Sequence, residues 1–140
     1  MRKILLITIG LSVGLMADFV RDADTNIVTD SATGLRWQDD PTPSGTSWQG
    51  AIDYCEALTL GGESDWRLPN LNELTSIVDD TVYNPSISSV FVNTASNGYW
   101  SSTTFAGSTG YAWIVNFYYG TQGRSNKTTS GYVRCVRAGQ

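Results

Sequence analysis

The sequence predicts a single small α+β domain, in which two helices lie between two groups of short strands. Residues 19–38 carry short apolar runs separated by turn residues, which is typical of strands. Residues 46–78 carry apolar residues at helical spacing behind two N-cap signals. Residues 81–140 are rich in Ser, Thr, Asn, Gly and aromatic residues, with further strand-like runs. A chain of 140 residues has room for one domain.

The first residues have the layout of an export signal. Arg2 and Lys3 precede an uncharged run from Ile4 to Leu15, and Ala17 supplies a small residue for cleavage. A membrane anchor is the alternative, but about twelve apolar residues are too few to span a bilayer. We therefore expect a signal peptide at 1–17 and one domain at 18–140. The protein would be secreted, periplasmic or at the cell surface, without stable membrane insertion.

Strands are expected on both sides of the helical region. Their predicted positions are 19–21, 27–29, 35–37, 99–103, 111–118 and 132–137. In the run "YAWIVNFYY" the period of two places Tyr111, Trp113, Val115 and Phe117 on one face. The segments 105–110 and 120–131 are predicted as connections, because they are rich in Gly, Ser and Thr.

The first helix is predicted from a capping box and an apolar stripe. Thr46, with Gln49 three residues later, fits the box. Gly61-Gly62 is expected to end the helix. The stripe at helical spacing comprises Trp48, Ala51, Ile52, Cys55 and Leu58.

The second helix follows the segment "SDWRLPN", residues 64–70. Asn70 is the predicted cap with Glu73 as its partner, and Pro69 prevents the helix from extending backward. Its inner face is predicted at Leu71, Leu74, Ile77 and Val78.

The segment before this helix has a structural role in the prediction. Trp66 and Leu68 alternate inward along an extended segment, which leaves Arg67 to point the other way. Its guanidinium would then meet backbone carbonyls or a carboxylate of the first half of the chain. Trp66, Arg67 and Pro69 are therefore interpreted as structural residues.

The predicted export suggests how the two cysteines, Cys55 and Cys135, are used. An oxidising compartment favours their pairing, which would tie the inner face of the first helix to the last strand. The alternative is a pair of reactive thiols. That alternative needs a nearby base, and the chain contains no histidine.

Charge is divided unevenly along the chain. All 13 acidic residues lie in 18–80 with three arginines, whereas 81–140 holds four basic residues and no acidic one. This asymmetry can mark an anion-facing surface, or it can mean that the two halves pair within one fold. We favour pairing, because Arg134 and Arg137 flank Cys135. An acidic chain is not expected to bind nucleic acid.

Several kinds of chemistry lack the residues they need. Without histidine there is no Ser-His-Asp or Cys-His arrangement, and no Gly-rich phosphate loop follows a strand. Carboxylates at 39–40 and 79–80, with Asp22 and Asp24, leave calcium open, although solvated turns explain them as well. No cofactor is predicted, and we expect a protein that is not an enzyme.

Aromatic and amide side chains are the remaining candidates for a site. Such groups on rigid loops suit a glycan or a cell-surface protein as ligand. The alternative is a sheet surface with polar residues that bind nothing, which would have a similar sequence. The predicted ligand-binding residues are Tyr118, Tyr119, Gln122, Arg124, Asn126 and Lys127.

A family resemblance rests on an ordered set of segments. They are "TGLRWQDD", "AIDYCEALTLGGESDWRLPN", "ELTSIVD", "YWSST", "YAWIVNF" and "GYVRCVR". Together they resemble the C-terminal domain of the Legionella collagen-like adhesin, over nearly the whole of 18–140. The resemblance implies a C-type lectin-like fold, with a small twisted antiparallel sheet, two flanking helices, long polar loops and a disulfide from the first helix to the final strand.

The resemblance does not imply calcium-dependent sugar binding, because neither triplet that lectins use for it occurs here. The expected function is a secreted or surface binding module that recognises its ligand through residues 99–128. The alternatives are a structural subunit of a surface assembly or filament, for which a homo-oligomer is allowed, and a formylglycine-generating-type oxidase, which uses thiols on this scaffold.

Overall fold

The structure is a computed structural model that describes residues 18–41 and 45–139. It contains two antiparallel sheets and two helices, so the predicted α+β class is confirmed. The predicted signal peptide at 1–17 lies outside the described residues. Among the described residues, no helix has the length and apolar character needed to cross a membrane.

The first sheet joins the two ends of the domain. Left-handed backbone at Asn26 and Gly34, with φ of 59° and 75°, allows the tight connections between its first strands. The three predicted strands of the first half are confirmed, each one residue longer than expected. The sheet has the order β1-β2-β3-β7, with strands β1 (Phe19–Asp22), β2 (Ile27–Asp30), β3 (Leu35–Gln38) and β7 (Val136–Ala138).

The last strand differs from its prediction. Only Val136–Ala138 pairs with β3, although 132–137 was expected. Tyr132 instead forms an isolated parallel bridge with Tyr99, and Gly131 forms an antiparallel one with Thr46. Residues 131 and 132 therefore pair with two other segments before the chain enters the sheet. The sequence pattern of 132–137 could not show that its residues have different partners.

The second sheet has the order β4-β5-β6 and contains a strand that the sequence did not predict. Its strands are β4 (Gly98–Thr104), β5 (Tyr111–Asn116) and β6 (Thr121–Asn126). The prediction of β6 as part of a connection was wrong. The run "TQGRSN" has weak strand propensity, but β5 offers it an edge and pairs with it along its whole length. Residues 117–120 form the turn, so β5 ends two residues earlier than expected.

The predicted face of β5 is only partly buried. Val115 and Phe117 are buried, whereas Tyr111 and Trp113 are half-buried. Ala112 is fully buried on the opposite face. Both faces of this sheet therefore pack against protein. A pattern that alternates buried and exposed residues could not predict this burial.

The first helix, α1 (Trp48–Ala57), differs from its prediction at both ends. Ser47 is the N-cap, and its hydroxyl accepts from the Gly50 N–H at 3.1 Å. The expected Thr46–Gln49 box is wrong, because Gln49 donates to Asp53 at 3.0 Å. The helix ends before the two glycines, since Leu58 is already extended with ψ of 131°.

The second helix, α2 (Leu71–Thr75), has the predicted capping box. The Asn70 side chain accepts from the Glu73 N–H at 2.8 Å, and the Glu73 carboxylate accepts from the Asn70 N–H at 2.9 Å. The helix is shorter than the pattern suggested, yet Leu74 and Ile77 are both buried as predicted. The apolar pattern thus identified the inner face, although Ile77 lies beyond the helix.

In the segment 66–69, the first three side chains alternate between buried and exposed positions. Trp66 and Leu68 are buried, and Pro69 is buried at the end of the segment. Arg67 points outward and donates two hydrogen bonds of 2.7 Å to the two carboxylate oxygens of Glu73. The Arg67 backbone also exchanges two hydrogen bonds with Val136, which attaches the segment to β7. The expected carboxylate partner is therefore the one that also caps α2.

Arg67→Ala is expected to lower the free energy of unfolding by about 1 kcal/mol at neutral pH, because the pair is half exposed. The hydrogen bonds from Arg67 hold the pKa of the Glu73 carboxyl below its ordinary value. A lowered pKa contributes stability above the carboxyl's unfolded value, and that stability is lost as pH falls through the folded value. The difference in melting temperature should therefore shrink in acid. Glu56→Gln, on the exposed side of α1, is the control, and identical melting of Arg67→Ala and wild type at pH 7 would contradict the expectation.

The predicted disulfide is present between Cys55 and Cys135. Both cysteines are fully buried in the core cluster that also holds Ala51, Trp66 and Trp100. The bond therefore joins the inner face of α1 to the residue that precedes β7. Neither cysteine is left as a free thiol.

The two oppositely charged halves of the chain pair within the fold, as favoured. Arg134 is 1% exposed and donates to the fully buried Asp39 at 3.2 Å. Arg137 is also buried and donates to Asp65 at 2.6 Å. Much of the positive charge of the second half is therefore inside the domain and does not form an anion-binding surface.

Candidate ligand-binding surface

Three tyrosines form an exposed aromatic cluster at the turn between β5 and β6, which we call the tyrosine cluster. Tyr118 and Tyr119 come from the turn, and Tyr83 comes from the segment that follows α2. The Tyr118 and Tyr119 ring centroids lie 4.6 Å apart, and Tyr83 stacks on Tyr119 at 6.1 Å. Tyr83 and Tyr119 are 67% and 65% exposed, which is unusual for side chains of this size.

Backbone and side-chain contacts hold the tyrosine cluster in place. The Asn84 N–H donates to the Tyr118 carbonyl at 2.8 Å, and the Ser86 hydroxyl donates to the same carbonyl at 3.1 Å. The buried Phe117 anchors the start of the turn. Gly120 has φ of 77°, and a Cβ atom there would lie 2.6 Å from a methyl carbon of Val78. Exposed rings on such an anchored turn lose little freedom when a ligand binds.

A groove of about 590 Å³ adjoins the tyrosine cluster through the chain neighbours of Tyr83. Val82 and Pro85 line it, and Val82 and Val92 are exposed apolar side chains at its margin. Its remaining lining is mostly small and uncharged, with one carboxylate at Asp79. The groove is therefore weakly charged, and it is next to the tyrosine cluster along the chain although none of the three tyrosines lines it.

The other predicted ligand-binding residues lie farther along β6 and do not join the tyrosine cluster. Gln122 donates to the Thr75 hydroxyl of α2 at 2.9 Å. Arg124 is exposed, but its guanidinium lies over the Phe105 ring at 4.6 Å. Asn126 accepts from the Thr128 N–H at 3.0 Å and stabilises the turn after β6. These three side chains already have partners within the domain.

Lys127 is also held by its neighbours. Its ammonium group lies 3.9 Å from the Trp48 ring centroid and donates to the Thr104 hydroxyl at 2.9 Å. The six residues predicted as one set therefore divide into an aromatic pair, with Tyr119 exposed and Tyr118 half-buried, and a row of anchored polar side chains. Cation–π contacts of this kind stabilise a surface but leave the cation less available to an anionic ligand.

Sequence reasoning missed Tyr83. It stands outside the predicted region 99–128, in the run "TVYNPSIS" that carries no charge. The available signal was a large aromatic residue next to Asn-Pro in a polar connection, because such loop residues are seldom needed for packing. Only the tertiary structure places it beside Tyr119.

Two of the carboxylates that could have held calcium have other partners. Asp39 accepts from Arg21 at 2.6 Å and from Arg134, and one Asp79 oxygen accepts from Thr81. Within residues 18–41 and 45–139, no group of three or more His, Cys, Asp or Glu side chains is placed to hold a metal ion.

Comparison with protein families gives one match that covers most of the chain. The family model of the Lcl C-terminal domain matches residues 26–137, from the turn before β2 to the middle of β7. A comparison with curated proteins returned no matching sequence. The matched range contains the Cys55–Cys135 disulfide, the segment 64–70 and both sheets apart from β1. The chain therefore belongs to the Lcl C-terminal domain family.

Proposed function

We propose that this chain is a secreted or surface-associated binding module with a C-type lectin-like fold, which recognises a glycan or a surface protein. The exposed tyrosine cluster is the observation that carries the proposal. Aromatic rings offer a large contact area with two rotatable side-chain bonds, and Tyr is enriched at recognition surfaces. The family to which the chain belongs suggests a module related to surface adhesins.

Two features support the fold assignment within this proposal. The Cys55–Cys135 disulfide ties the first helix to the residue before the last strand, as the resemblance implied. The segment 66–69 packs between α2 and β7 in the manner expected of a family signature. Together they make the two sheets a rigid support for the turns.

Two observations support the location within this proposal. The disulfide fits an oxidising compartment, and the sequence pattern at 1–17 is that of a secretory signal. A binding role without catalysis is supported by the absence of histidine and by the commitment of both sulfurs to the disulfide. A thiol-dependent oxidase would need at least one of those sulfurs free.

The expected ligand is neutral or only weakly anionic. Residues 18–41 and 45–139 contain seven basic and thirteen acidic residues, a net charge of −6. Arg134 and Arg137 are buried in ion pairs, and Arg124 and Lys127 lie on aromatic rings. A polyanion would therefore meet few free cations and an overall repulsive field.

The test is binding of the purified protein to a glycan array and to immobilised surface proteins, with and without EDTA. Tyr118→Ala/Tyr119→Ala should weaken binding by at least about thirtyfold, since buried aromatic contacts dominate recognition surfaces. Tyr83→Ala should weaken it in the same direction. EDTA should have no effect, because calcium plays no part in the proposed contact.

Val20→Ala is the control, because Val20 is 62% exposed on β1 in the other sheet. Equal binding by the tyrosine variants and the control would contradict the proposal. Failure of every ligand, together with large assemblies in light scattering, would instead favour a structural subunit of a surface filament.

A further inference from the structure

A second concave feature lies on the β4-β5-β6 sheet, and neither α2 nor any of the three tyrosines of the cluster lines it. It is a cleft of about 320 Å³ around the half-buried Ile114, with the fully buried Trp100 beneath. Ile114 lies opposite Trp100 on β4 and opposite Gly123 on β6. The next residue, Val115, points to the other face, into the core cluster with Leu74. The cleft is therefore on the face of β5 that α2 does not cover.

Glycines keep this cleft open. A Cβ atom at Gly98 would lie 3.1 Å from the Ile114 Cδ1 atom, and one at Gly131 would lie 2.7 Å from the Trp100 indole nitrogen. Gly131 thus allows the backbone to approach the indole closely. At Gly123 a Cβ atom would meet only Ile114, at an ordinary 3.7 Å. Gly98 and Gly123 thus have no side chain that could cover Ile114. At Gly123 a larger residue would fit without a clash, so packing alone does not explain the glycine there.

The rim of the cleft carries oriented neutral polar groups. The Asn97 side-chain oxygen accepts from the Gly98 N–H at 2.8 Å, and the Asn116 side-chain oxygen accepts from the Tyr118 N–H at 2.9 Å. Because each amide oxygen is engaged, the orientation of each amide is set and its NH₂ group is left to donate. Neither NH₂ group, nor the hydroxyl of Ser125 or Ser130, has a hydrogen-bond partner in the described part of the chain.

Among the described residues, those that line the cleft include no Asp, Glu, Lys, Arg or His. A carboxylate, sulfate or phosphate would find no cation there, and a cationic ligand would find no carboxylate. The volume is near the lower end of the range for small-molecule pockets. An apolar floor, free amide donors and hydroxyls fit a ring that has C–H groups on one side and hydroxyls at its edge.

We infer that this cleft binds one uncharged sugar ring of a saccharide. Ile114 contacts the C–H face of the ring, and Asn97, Asn116 and Ser125 bond its hydroxyls. The site is separate from the tyrosine cluster, so it neither requires nor replaces the function proposed above. If both sites bind one extended glycan, the cleft supplies the recognition of a single ring.

The test is a titration of the isotope-labelled protein with maltose, lactose and diacetylchitobiose, followed by NMR. At least one of these neutral disaccharides should cause saturable shifts at Gly98, Asn116 and Ser125. Gly123→Val should abolish them, because the new side chain fits the strand and covers Ile114. Glucuronic acid should cause no such shifts.

Gly110→Val is the matched control, since a Cβ atom at Gly110 meets nothing within 4 Å and the position lies outside the cleft. It should retain the shifts, and so should Tyr118→Ala/Tyr119→Ala. The inference is overturned if none of the three disaccharides causes saturable shifts, or if Gly123→Val with unchanged melting still binds. It is also overturned if the shifts occur only at the tyrosine cluster. If the tyrosine variants lose the binding tested under the proposed function but keep the cleft shifts, that result bears on the proposed function and supports a separate cleft site.

Discussion

Cys55→Ala/Cys135→Ala should lower the free energy of unfolding by about 4–5 kcal/mol relative to the oxidised wild type. The two cysteines are 80 residues apart, so the bond removes much of the freedom of the unfolded chain. Alanine avoids a buried hydroxyl, since both positions are fully buried. For a domain of this size the melting temperature should fall on the order of 15 °C.

Urea unfolding with and without a reductant measures this effect. The reductant should bring the wild type close to the double variant and should leave the double variant unchanged. A wild type and a double variant that unfold at the same urea concentration would show that the disulfide does not stabilise the domain. The slope of the transition should increase in the variant, because its unfolded chain exposes more surface.

Asp39→Asn should cost about 3–5 kcal/mol, because it leaves the buried Arg134 and the partly buried Arg21 without their counter-charge. Asp39 is fully buried and accepts from Arg21 at 2.6 Å and Arg134 at 3.2 Å. It also accepts from the backbone N–H groups of Val92 and Asn93, at 2.9 and 3.2 Å. One carboxylate thus attaches the end of β3 to β1, to the segment before β4 and to the residue before Cys135.

Asp40→Asn is the matched control, because Asp40 is the next residue, is only half-buried and accepts a hydrogen bond from Gln38 at 2.7 Å. It should change the free energy of unfolding by less than about 1 kcal/mol. Thermal and urea unfolding of the two variants compare them directly. Equal losses would mean that the position of the carboxylate is unimportant. Hydrogen exchange should show faster opening of 90–94 in Asp39→Asn, since that segment loses its anchor.

The strands of the first half and the second helix could be predicted from local chemistry. Turn residues at 23–26 and 31–34 separate short apolar runs, and runs of that length bounded by turns are typical of strands. Asn70 and Glu73 satisfy each other's backbone N–H groups without help from the rest of the fold. The start of α1 was missed by one residue, because Thr46 and Ser47 are both good caps and pairing of Thr46 with Gly131 selected Ser47.

The candidate site was predicted less completely than the framework. Tyr118 and Tyr119 were identified, since exposed rings at a turn are rarely needed for packing. Arg124 and Lys127 were chosen for their charge, but Phe105 and Trp48 already hold them. Those aromatic partners come from other elements, so no local pattern could reveal them.

By itself the sequence determined the α+β class, the disulfide, the inward position of Trp66 with Arg67 pointing outward, and the family. All of these depend on local patterns, on spacing or on the redox compartment. The tertiary structure alone decided that β6 is a strand, that Tyr83 joins the tyrosine cluster, and that Gly98 and Gly123 lie beside Ile114. These features depend on which distant backbone segments meet, and that is settled by the free energy of packing the whole chain.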